Sequence, residues 1–301
     1  MKGLYNVTKP SHEISGRNEN NECVENSNQT VEFTGIEAQL NEEFGNREIP
    51  TSMEIAQKSI EAYYDQSVRQ ILETNGKYMS EADKARITRG VDGITAVEYN
   101  PSAGYSGLYS LENGESRIEV VALDQMQMER STKHETNHFA SKNSEIMIPD
   151  VYRNGYNVYK TVGVRQSSWF HSNETGIDSE YVSKGRGLNE GITTLYTNQQ
   201  LSELSKEKGE AAVRQGIYYH ATELCGQLER IVGSDTMKKA YYGGNIEGLK
   251  EKVDSLAGEN GFENLRECID RTMSPDYAER VEAMKEAQKI LAKMYENGGY
   301  E

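Results

Sequence analysis

The sequence predicts an α+β protein: a small, mostly antiparallel sheet packed on a helix that carries His134-Glu135-x-x-His138, followed by a mainly helical C-terminal half. Three observations lead to this. Between Ile94 and Leu123 short apolar runs are bounded by turn residues, and Asn113-Gly114 is a strong hairpin signal. From Asp124 to Ala140 the pattern becomes helical and sets His134 and His138 four residues apart on one face. After residue 205 apolar residues recur at helical spacing almost to the end.

Residues 1–48 are rich in Asn, Glu, Ser and Thr without a sustained period, and are expected to be disordered or loosely draped, with Thr30–Phe33 the one stretch suited to a short strand. Thr51 and Glu54 make a capping box, after which Ile60, Tyr63, Tyr64, Val68, Ile71 and Leu72 mark a helix that stops at Gly76. Ser80 opens a shorter helix ending by Gly90. Strands follow at Ile94–Val97, Leu108–Leu111 and Ile118–Leu123, the last two joined through Asn113-Gly114. Asp124 is the N-cap expected for the next helix, with Gln127 three residues on. A second hairpin is expected about Asn154-Gly155, between Val151-Tyr152 and Tyr156–Val164, followed by a loop holding Trp169 and His171. A helix through Leu188–Thr197 separates an apolar stripe (Leu188, Ile192, Leu195, Tyr196) from a polar one (Glu190, Thr193, Thr194, Thr197). Beyond it, Ile217, Ala221, Leu224, Leu228 and Ile231 make a stripe closing at Gly233, and Asp235, Asn245 and Asp276 open further helices. The expected domains are 1–48 as a polar N-terminal segment, 49–205 as the domain with the sheet and both motif helices, and 206–301 as a helical subdomain.

H-E-x-x-H divides labour in a way that zinc chemistry requires. Two neutral imidazoles hold the ion, while Glu135, one step around the helix, can take the proton of a water there without being a ligand. The pattern with a glycine at 141 and a histidine at 144 is excluded by Ser141 and Ser144. Glu190, in Asn189-Glu190-Gly191, is the better third ligand, and His171 an alternative one.

On His134, Glu135, His138 and Asn189-Glu190-Gly191 the chain resembles the gluzincin-type zinc metallopeptidases, with a more diffuse likeness to bacterial metallopeptidase-like proteins over roughly 105–295. The resemblance implies a zincin-like fold in which the sheet precedes the active-site helix and its edge strand walls the cleft. It implies Zn²⁺ held by His134, His138 and Glu190, with Glu135 as general base. It also implies a Tyr or His from a later helix at the developing oxyanion; Tyr218, Tyr219 and His220 are the candidates, and Tyr219 and His220 are carried as catalytic residues. Two departures stand out. In the thermolysin branch an aspartate four residues after the ligand glutamate orients a zinc histidine, and here that position is Thr194. His138 and Glu190 are also 52 residues apart, room for a β-hairpin insertion.

Composition narrows the rest. A chain of 301 residues buries a sizeable core, while 36% hydrophobic residues and a mean hydropathy of −0.78 mark a polar protein without a bilayer-spanning run. The first ten residues lack the apolar stretch of a secretory signal, so a cytoplasmic location is expected. Cys23, Cys225 and Cys268 are too scattered for a disulfide framework or a thiolate zinc site. A net charge of −15 argues against nucleic acid and anionic membranes as partners. The expected function is zinc-dependent hydrolysis of peptide bonds in a peptide or protein substrate. The alternatives are a non-catalytic zinc-binding interaction module and a metallopeptidase effector of narrow specificity.

Overall fold

A computed structural model describes residues 53–100, 105–112, 114–201 and 218–298. The N-terminal segment with Thr30–Phe33, Thr51 of the capping box, Asn113 of the first hairpin turn, Cys23 and Ile217 lie outside the described residues.

The first layer is a helical pair beside a sheet. Helix α1 (Met53–Asn75) buries Ala56, Ile60, Tyr64 and Ile71, and a single 3₁₀ turn at Gly76–Tyr78 ends it. Helix α2 (Glu81–Arg89) starts where Ser80 accepts the Asp83 N–H and stops at Gly90, whose φ of 90° only glycine adopts readily. Strands β1 (Gly93–Val97), β2 (Gly107–Glu112) and β3 (Glu115–Val121) form a sheet in the order β1-β3-β2. The β2–β3 hairpin is antiparallel, Tyr109 opposite Ile118. β1 instead runs parallel to β3, Ile94 beside Ile118, so the expectation of a mostly antiparallel sheet holds for one of the two ladders. β1 takes the far side of β3, and α1 seals the edge beyond β1. The Gln57 amide takes the Ala96 N–H at 2.8 Å and donates to the Ile94 carbonyl at 2.9 Å, completing the ladder where no strand continues it.

Helix α3 (Gln125–Ala140) packs between this sheet and α1. A second, antiparallel sheet follows, β4 (Asn143–Asp150), β5 (Gly155–Val162), β6 (Arg165–Ser172) and β7 (Asp178–Lys184), in sequence order. The insertion between the motif helices is therefore four strands, not one hairpin, and the strand expected at Val151-Tyr152 lies earlier, at β4. Asp150 decides this: its carboxylate accepts the N–H groups of Tyr152 and Arg153 at 3.2 Å each, turning the chain, while Asn154 takes φ 49°. Pro149 is tolerated because β4 is an edge strand. His171, expected in a loop, is in β6.

Helix α4 (Arg186–Gln200) leads to α5 (Tyr219–Val232), α6 (Ser234–Tyr241), α7 (Ile246–Ala257), α8 (Gly261–Arg271) and α9 (Tyr277–Glu296). The expected starts at Asn245 and Asp276 are side-chain caps, and Gly233 closes α5 with φ 87°. One apolar core runs from Ile60 and Phe139 through Leu188 and Tyr196 to Leu228, Leu249 and Leu291, with Cys225 and Cys268 within it. All described residues belong to one compact unit, 48–301; the boundary expected near 205 falls at residues 202–217, outside the described ones. Among the described residues no helix is long and apolar enough to cross a membrane.

Candidate metal centre

Helix α3 is capped by the Asp124 carboxylate, which accepts the Gln127 N–H at 2.9 Å. Its burial is unusual. Glu129, Lys133, Thr136, Asn137 and His138 are all buried, so every polar group needs a partner inside the protein. On the face turned to α1 and the end of α4 they find one another. The Lys133 ammonium donates to Glu129 Oε1 at 2.8 Å and to the Gln200 carbonyl at 2.6 Å. Asn137 meets Gln200, Thr197 and the Tyr242 hydroxyl.

The opposite face brings the motif together. Nε2 of His134, Nε2 of His138 and Oε2 of Glu190 stand 3.2 Å from one another in all three pairs, a triangle of donors from two helices. The imidazoles cross at 78° with centroids 4.8 Å apart. Burial pushes the Glu190 carboxyl up, and the two imidazoles more than offset it, holding it well below the ordinary carboxylate range.

Glu135 faces the sheet. Burial pushes its carboxyl up to about 7; the His134 imidazole lowers it, the Glu190 carboxylate raises it, and the Tyr109 backbone N–H donates to it. Strand β2 comes this close because residue 107 is glycine: a Cβ there would lie 2.9 Å from Glu135 Oε1 and 3.2 Å from Ser131 Cβ.

The donor set fits a metal ion. Three donors aimed at one point, each 3.2 Å from the other two, match a tetrahedral ion, whose donors at about 2.0–2.1 Å stand about 3.3 Å apart. His134, His138 and Glu190 form the metal-competent cluster found among the described residues. His171 is elsewhere: its Nδ1 pairs with Asp178 at 2.7 Å on the outer sheet.

Of the three aromatic candidates on the later helix, Tyr218 touches the centre. Its ring lies parallel to His134, within 5°, with centroids 5.9 Å apart, and burial raises its phenol above the ordinary value. Tyr219 and His220 pack edge to face on each other at 5.3 Å, and His220 Nδ1 is buried without a hydrogen-bond partner.

Thr193, and not Thr194, faces His138. Thr194 Oγ1 is buried without a partner, whereas Thr193 Oγ1 lies 3.4 Å from His138 Nδ1. Asn189 Nδ2 is 3.3 Å from the same nitrogen. The N-terminus of α4 is capped from afar: the Asp270 carboxylate accepts the Gly185 and Gly187 N–H groups at 2.7 Å each. The polar runs in Glu129–Asn137 and Asn189–Gln200 signal buried polar faces once both helices are known to be internal. Nothing local signals Asp270.

Comparison of the chain with protein-family models, with curated proteins and with solved structures gives no match. The reading of the centre rests on its own geometry.

Proposed function

We propose that this chain is a zinc-dependent hydrolase of peptide bonds, with His134, His138 and Glu190 as ligands and Glu135 as general base. The observation that carries it is a closed triangle of donors beside a buried carboxyl, Glu135, that contributes no ligand atom to the triangle. A purely structural site needs four closed ligands and has no use for such a carboxylate. When bound, zinc supplies a Lewis acid that polarises a carbonyl oxygen and lowers the pKa of water toward about 7. Glu135 takes the proton of the attacking water and passes it to the leaving amine, and the Tyr109 N–H holds its carboxylate in place. Tyr218, kept protonated by burial, is the donor for the developing oxyanion. β2 has no second strand partner among the described residues, so an extended peptide can add along it and pass Glu135. The order of sheet, H-E-x-x-H helix, inserted sheet and glutamate helix supports a zincin-type fold of the gluzincin kind.

The test is metal content by elemental analysis of wild type and Glu190→Ala, with cleavage of a diverse peptide pool. About one zinc per chain, lost in Glu190→Ala, is expected. Glu135→Gln should keep zinc and lose cleavage. No zinc after loading overturns the proposal; zinc without cleavage transfers it to a binding module or a narrow-specificity effector.

A further inference from the structure

In a metal-ligating histidine the second ring nitrogen must keep its proton and donate it, usually to a carboxylate. Among the described residues, the hydrogen-bond partners of His138 Nδ1 are Asn189 Nδ2 and Thr193 Oγ1, at 3.3 and 3.4 Å, and neither is a carboxylate. The Asn189 amide cannot accept there, because its oxygen is engaged: Oδ1 takes the Val164 N–H at 3.1 Å. The β5–β6 turn presses that contact home. Gly163 has φ 59°, and a side chain there would stand 2.3 Å from Asn189 Oδ1 and 2.9 Å from the Tyr241 ring. The amide orientation is thus set by a backbone turn of the inserted sheet, leaving its NH₂ toward the imidazole. Thr193 is arranged the other way. Its hydroxyl proton goes to the Asn189 carbonyl at 2.7 Å, so its oxygen is free to accept, from the Tyr241 phenol at 2.7 Å and from His138. Thr193 and Tyr241 are fully buried, so no water competes.

We infer that Thr193 is the positioning residue of the metal centre: its hydroxyl accepts the Nδ1 proton of His138 when Nε2 is given to a metal ion, and so stabilises the ligating tautomer. This rests on the metal-centre reading above. Asn189 favours the opposite tautomer, since its N–H can donate only to an unprotonated Nδ1, with the Nε2 proton then directed to Glu190 Oε2 at 3.2 Å. With Nε2 given to a metal ion, the His138 proton would sit on Nδ1, where Thr193 Oγ1 would accept it.

The experiment compares wild type, Thr193→Val and Thr193→Ser by zinc competition against a chromophoric chelator, with ¹⁵N-histidine NMR of the wild type before and after zinc. Thr193→Val is expected to weaken zinc binding about tenfold or more, and Thr193→Ser to stay near wild type. In the wild type the His138 Nδ1 proton should appear only on zinc loading. Equal zinc affinity of Thr193→Val and wild type, or a zinc-loaded His138 with Nδ1 unprotonated, overturns the inference. Thr193→Ala replaces Thr193→Val if the latter does not fold, and zinc affinity equal to wild type then overturns the inference. A wild type that binds no zinc overturns the metal-centre reading instead.

Discussion

Asn137 and Gln200 exchange their side-chain amides: Asn137 Nδ2 donates to Gln200 Oε1 at 3.2 Å, and Gln200 Nε2 donates back to Asn137 Oδ1 at 3.1 Å. One residue is on the H-E-x-x-H helix and the other on the last turn of the glutamate helix, so the pair locks the register of the two elements that supply the three donors. Ser67 and Tyr242 donate into the same pair from α1 and from the residue just past α6. A network this complete inside a low-dielectric core loses more than one bond's worth when broken.

Asn137→Ala should therefore destabilise the protein by about 3 kcal/mol, because it strands the Gln200 amide and the Tyr242 hydroxyl. Urea denaturation measures it, and a thermal midpoint lower by on the order of 10 °C is the companion result. A loss below about 1 kcal/mol would show that the amide pair is not what joins the helices.

Lys133 has no exposed surface, and its ammonium pairs with the buried Glu129 carboxylate at 2.8 Å. Lys133→Met removes the ammonium from the buried Glu129 carboxylate and should cost about 3–5 kcal/mol, whereas Lys133→Met combined with Glu129→Leu should recover a large part of it. Chemical denaturation of the two variants gives the comparison; additive losses would contradict it.

At Gly107 β2 passes the proposed base so closely that a Cβ would stand 2.9 Å from Glu135 Oε1. Gly107→Ala must displace Glu135 or the strand. Peptide cleavage should fall tenfold to a hundredfold, as expected on the order of a 1 Å misplacement, while zinc content stays unchanged. Loss of zinc along with cleavage would mean that the displacement reaches the ligands.

Asp83 links stability to pH. Burial pushes its carboxyl up, but the Ser80 hydroxyl, the Lys142 ammonium and the Arg86 guanidinium more than offset that and hold it below the ordinary value. A folded value depressed below the unfolded one, about 3.9, means the stabilisation is fully present above that value and disappears as pH falls through the folded one. Thermal midpoints of wild type and Asp83→Asn should therefore differ most near neutrality and converge toward pH 3. A gap that stays constant with pH would exclude Asp83 as a source of acid sensitivity.

What the sequence by itself determined is what acts over a few residues. The caps at Ser80, Asp124, Asn245 and Asp276, the stop at Gly233 and the shared face of His134 and His138 follow from spacing along one helix, where backbone geometry sets the partner. Glu190 was legible because its helix carried a clear polar stripe and the motif called for a third donor. The tertiary structure alone decided the rest. That β1 takes the far side of β3 and runs parallel to it follows from no spacing along the chain. Thr193, and not Thr194, faces His138 because packing of α4 fixes its rotation. Asp270 caps the same helix from 83 residues away, at Gly187, where local sequence offers no capping side chain. A buried hydrogen bond between distant segments is worth making only once packing has excluded water around both groups, so its partner is chosen by the assembled core and leaves no spacing to read.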